Sequence, residues 1–148
     1  MALDNDQVIS KLNHILGTLL DGEKGYREAA EEAESSQYTT MFNELAQQRG
    51  RFASEVSSEI RRLGGEPRDH TSAGAALHRV WLNVREAISG KGDEAVIAEA
   101  ERGEDSAVSN YQDVMNDDLP SNVKTMLSQQ YAEVKAAHDR ISNMKHAN

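Results

Sequence analysis

Two glutamates stand out, because each is the single charge in an otherwise apolar helical stripe. Glu23 interrupts Ile9, Leu12, Leu16, Leu19, Tyr26, Ala30 and Ala33, and Glu104 interrupts Ile97, Ala100, Ala107, Tyr111 and Val114. Carboxylates brought to the middle of a helical bundle can hold a pair of metal ions. Such centres take one glutamate from each of two helices and Glu-x-x-His from each of the other two. The spacing matters because positions i and i+3 share a helical face and reach the same ion. No Glu-x-x-His occurs in this chain: Glu44 is followed at that distance by Gln47, and Glu133 by Ala136. Glu133 and His138 are five apart, which points them about 140° away from each other on a helix. Arg49 is the lone charge of a third stripe, Phe42, Leu45, Phe52, Val56, Ile60 and Leu63.

The elements that must position these groups are helices. Steps of three and four residues define a first helix from an Asp4 cap, with Gln7 as capping-box partner, and a second that stops at Gly64-Gly65 before Pro67. The turn at Ser35-Ser36 makes these an antiparallel hairpin over about residues 4–63. A crossover, 64–93, carries a shorter helix with Leu77, Val80, Trp81, Leu82, Val84 and Ile88. Asp93 then reads as an N-cap. A second hairpin over about 94–146 has its break at Asn116-Asp117-Asp118, with Pro120 in the first turn of a last helix whose stripe is Val123, Leu127, Tyr131, Val134, His138 and Ile141.

The hairpins repeat one another. Gly22-Glu23 matches Gly103-Glu104, and one residue of slack brings Gln47-Gln48 onto Gln129-Gln130, Leu45 onto Leu127 and Phe52 onto Val134. Two hairpins joined by one long crossover predict an all-α, ferritin-like four-helix bundle, a single domain over 1–148. With 148 residues the chain has enough for one core.

Composition narrows the function classes. The formal net charge is −9, from 25 acidic and 16 basic residues, which disfavours nucleic acid and anionic membranes as partners. No cysteine is present, so disulfides and thiolate chemistry are excluded and a reducing cytoplasmic setting is expected. No apolar run approaches the ~20 residues of a membrane span. The acidic start, Met-Ala-Leu-Asp-Asn-Asp, is unlike a signal peptide. No phosphate loop, nucleophile elbow or zinc motif appears.

The strings DGEKGYREAAE (21–31), QRGRFASE (48–55), RRLGGEP (61–67), ALHRVWLN (76–83), AEAERGED (98–105) and QYAEVKAAHDR (130–140) resemble the bacterial ferritin-like bundles grouped as domain of unknown function 2383. The resemblance covers nearly the whole chain and implies a fold and a bacterial, cytoplasmic setting, with no established reaction. Set against rubrerythrin-like proteins, Arg49 and Tyr131 fall near the expected ligand glutamates, and Phe52 and Val134 near the histidines. Two readings follow. In one, Glu23, Arg49, Glu104, Tyr131, Gln48 and Gln130 form a structural polar cluster, with Arg49 paired to Glu23 and the Tyr131 hydroxyl to Glu104. No cofactor is then needed, and the protein is non-enzymatic and acts by associating with itself or a protein partner. Trp81, Leu82, Val84 and Ile88 are candidates for that interface. In the other, Glu23, Glu104, Glu101 and His138 form a degenerate site for iron or manganese in an oxidoreductase or iron-handling protein. Burial of a lone charge is too unfavourable for either seam glutamate to lack a partner.

Overall fold

The computed structural model describes residues 3–68 and 92–146. Within them the chain forms four helices and no strand: α1 (Asn5–Glu32), α2 (Ser36–Arg62), α3 (Asp93–Met115) and α4 (Ser121–His146). The expected crossover helix, with Trp81, Leu82, Val84 and Ile88, lies outside the described residues.

Local chemistry sets the helix ends. Asp4 Oδ1 accepts from the Gln7 amide at 2.8 Å and the Gln7 side chain accepts from the Asp4 amide at 2.9 Å, the expected capping box. At the end of α2 the amide of Gly65 donates to the carbonyl of Ile60 and that of Gly64 to Arg61. This is a Schellman closure, and Gly64 takes the φ of +88° that it requires. Asp93 departs from its expected role. Gly92 occupies the N-cap position, while the Asp93 carboxylate accepts from the amides of Glu34 (2.7 Å) and Ser35 (3.1 Å). It thereby ties down the α1–α2 turn from another element, where Ser35 makes no side-chain cap of its own.

Cross-links between helix ends fix the topology. The amide of Leu3 donates to Asp118, and Lys11 pairs with Asp117 at 3.2 Å, so α1 begins beside the α3–α4 turn. His14 Nε2 lies 2.9 Å from Asn110 Oδ1 on α3. Asn122 at the start of α4 donates to Glu59 near the end of α2. Side-by-side helices are therefore antiparallel, α2 and α3 are parallel across a diagonal, and residues 69–91 connect opposite ends of the bundle. That is the ferritin-like connectivity.

Burial separates the core into two apolar halves. One gathers Leu12, Leu16, Phe52, Val56, Ile60, Tyr111, Val114, Val123 and Leu127 at the end holding the α3–α4 turn. The other gathers Tyr26, Ala29, Phe42, Leu45, Ile97, Ala100 and Ile141 at the opposite end. Arg49 and Glu104 fall between them in sequence on both helices, at 2% and 0% exposure.

Candidate functional site

The centre of the bundle is an ion pair across the diagonal. Arg49 Nη1 lies 2.7 Å from Glu104 Oε1 and Nη2 donates to Oε2 at 2.9 Å, a two-pronged contact that matches guanidinium to carboxylate. Arg49 Nε donates to its neighbour Gln48 at 3.1 Å. The guanidinium sits 5.5 Å from the centre of the Tyr26 ring, which stacks on Phe42 at 5.9 Å, and the charge of Glu104 bears on the Tyr26 hydroxyl. Gly22 faces the arginine stem. A Cβ there would stand 3.5 Å from Arg49 Cγ and 3.6 Å from Nη1, so the arginine stem runs against α1 backbone.

Burial alone would favour neutral arginine, but the charge and hydrogen bond of Glu104, with Tyr26 and Tyr111 adding to them, together outweigh it and hold the guanidinium proton more tightly than in water. The Tyr26 phenol is raised well above 10 by burial and then by Glu104. Tyr111 is raised as well, first by its own burial. Its hydroxyl donates to Gln130 at 2.7 Å, and Gln130 donates to Glu55 at 2.8 Å, a polar thread from the core to the surface of α2.

Two of the expected partners differ. Glu23 does not meet Arg49: it pairs with Arg27 one turn along α1 at 2.7 Å, with a side chain 25% exposed. Tyr131 does not meet Glu104: its hydroxyl accepts from Gln112 on α3 at 2.9 Å. The reason is the phase of the stripe. A seven-residue template drifts about 20° per heptad from a straight helix. Around mid-α1 the inward positions are Leu19, Gly22 and Tyr26, which leaves Glu23 on the flank against Gly50. Gln48 and Gln130 keep a place in the network. Tyr26 and Tyr111 join the centre although their stripes marked them only as apolar positions; a stripe tyrosine carries a hydroxyl that needs a partner once buried.

The four residues of the metal reading are not brought together. Glu104 is engaged by Arg49 and Tyr26, Glu23 by Arg27, Glu101 by Lys145 at 2.8 Å, and His138 by Asp105 and Asp139. Among the described residues no three acidic or histidine side chains converge as a cation site. A guanidinium seated on both oxygens of Glu104 contributes a positive charge where a metal centre requires anionic donors, so these residues do not fit a di-metal centre.

A family model for a domain of unknown function, DUF2383, matches residues 7–117, from the first turns of α1 through the end of α3. The chain belongs to this family. Its fold is shared with a crystal structure of a two-domain Anabaena variabilis protein containing DJ-1/ThiJ/PfpI-like and ferritin-like domains. The likeness covers 99% of this chain and 41% of that one, with a TM-score of 0.77 and 15% identity. The chain thus spans less than half the length of that protein. No curated protein matches it. Among the described residues no helix is long and apolar enough to cross a membrane.

Proposed function

We propose that this chain is a non-enzymatic, cytoplasmic bacterial bundle that acts by associating with itself or with a protein partner, around a structural polar core. The observation that carries this reading is the seating of Arg49 on both oxygens of Glu104 at mid-bundle. That carboxylate is the one group of the expected metal ligands that reaches the core, and it is consumed by a side chain. The likeness to a ferritin-like domain joined to a second domain in the Anabaena protein favours a role as an association module. The two hairpins are read as copies of one unit that diverged at their centres.

A buried pair of opposite charges is weak evidence for stability and better suited to specificity. Apolar stripes on four helices accept sliding by a turn, whereas one fork-to-fork contact between α2 and α3 is satisfied in a single register. The Tyr26 ring and the Gly22 backbone restrict the arginine further.

Elemental analysis of protein purified from iron- and manganese-supplemented cells tests the reading, with Glu23→Ala and Glu104→Ala alongside. Metal well below one equivalent in all three is the expected result. Stoichiometric metal in the wild type that both variants lose would replace the structural reading with a metal-dependent oxidoreductase or iron-handling protein.

A further inference from the structure

His138 has carboxylates at both ring nitrogens. Nε2 lies 2.6 Å from Asp105 Oδ1 on α3, and Nδ1 lies 3.1 Å from Asp139 Oδ1 on its own helix. A neutral imidazole carries one N–H, so it can donate to one of these oxygens and must set a lone pair against the other. Both contacts are favourable only when the ring carries two protons and a positive charge. The link to Asp105 is one rung of a ladder along the α3–α4 seam. Tyr131, His138 and Lys145 recur every seven residues on α4, and meet Gln112, Asp105 and Glu101 on α3. Of the three, His138 is the rung built on an imidazole, the side chain that titrates near neutrality.

We propose that His138 is a pH-operated clasp, whose imidazolium holds the C-terminal half of α4 against α3 and whose loss of a proton to solvent loosens that half of the seam. The charged groups that bear on the ring are Asp105 from α3 and Asp139 from α4, with Lys135 paired to Asp139 at 2.7 Å. Polar links between α2 and α4 run from Arg51, Glu55 and Glu59 to Glu133, Gln130 and Asn122 respectively, away from His138. Partial burial disfavours the charged ring, but the bonds to Asp139 and Asp105 outweigh it and raise its pKa above the ordinary 6.5. A raised folded-state value gives a contribution that is complete below about 6.5 and lost as pH climbs through the folded value. The clasp is therefore closed on the acid side and opens towards alkaline pH.

Imidazole NMR titration and amide hydrogen exchange on the full chain test this, comparing wild type with His138→Gln and Asp105→Asn. The His138 midpoint is expected above 6.5 and should fall in Asp105→Asn. Protection of the α4 amides beyond His138, corrected for intrinsic exchange, should exceed that of His138→Gln about two- to fivefold at pH 6, the range an exposed ion pair commands. The excess should vanish by pH 8.5. A midpoint at or below 6.5, or an excess that is the same at both pH values or absent at both, overturns the proposal.

Discussion

Glu23 and Glu104 hold matching places in the two hairpins, each after a glycine and each the only charge of its stripe, yet they end in different surroundings. Glu23 lies on the flank of α1 and shares a proton donor with solvent through Arg27, while Glu104 is fully buried under Arg49 and Tyr26. The difference shows what a bundle core demands of a carboxylate. At mid-bundle Glu104 is retained inside where a cation from α2 meets it and the Tyr26 ring from α1 covers that cation. On α1 the inward position is given to Gly22, against which the arginine stem packs. One glutamate is thus kept by its partners, and its counterpart lies on the flank because of the phase of its helix.

Removing the cation should separate the two sites most sharply. Arg49→Ala leaves Glu104 as an uncompensated buried charge and should lower the unfolding free energy by about 3–5 kcal/mol in urea denaturation. An Arg49→Ala protein as stable as the wild type would break the comparison at its root. The double variant Arg49→Met with Glu104→Leu removes both charges and keeps similar volume, so it should regain most of that loss. If the pair specifies register, the double variant will show broadened or duplicated NMR signals along α2 and α3.

Smaller effects refine the contrast. Tyr111→Phe deprives Gln130 of its buried donor and should destabilise by about 1 kcal/mol. Gly50→Ala places a Cβ 2.7 Å from Glu23 Oε2, the free end of a flexible chain that can swing outward. The gain in helix propensity, at most about 1 kcal/mol, should then prevail and raise the melting temperature slightly. A clear drop would mean that Glu23 is held in place more firmly than an exposed pair allows. Glu23→Ala should change stability by no more than about 0.5 kcal/mol, and less still in high salt, as befits a surface pair.

Much of the architecture was legible along the chain because it rests on local rules. Asp4 with Gln7, Gly64-Gly65 before Pro67, and the break after Met115 act within a few residues, and the structure places helix ends there. Glu104 and Arg49 were legible as core charges from their stripes. The pairing of those charges was not. The register of Glu23 differs from that of Gly22 by 100° of helix rotation, and a seven-residue template cannot resolve which of two adjacent residues faces inward when the helix is straight. Asp93 illustrates the same limit. Its position before a helix predicted an N-cap, but Gly92 takes that place, and the amides Asp93 accepts from belong to the α1–α2 turn, some sixty residues earlier.

Asn13 carries the point further. It is nearly buried on α1, where its amide donates to the Glu66 carbonyl and its oxygen accepts from the Arg68 amide. Nothing in its neighbourhood along the chain marks it, because both partners follow the next helix.

By itself, then, the sequence determined the helices, their hairpin order, the long connection and the presence of charges in the stripes, since periodicity, caps and glycine stops act over one or two turns. The tertiary structure alone decided which charges meet. Arg49 crosses to Glu104 because the tertiary fold sets α2 and α3 on a diagonal with both side chains turned to the centre. Desolvation makes that choice decisive, since at the centre of the bundle a charge must meet its opposite directly or leave the core.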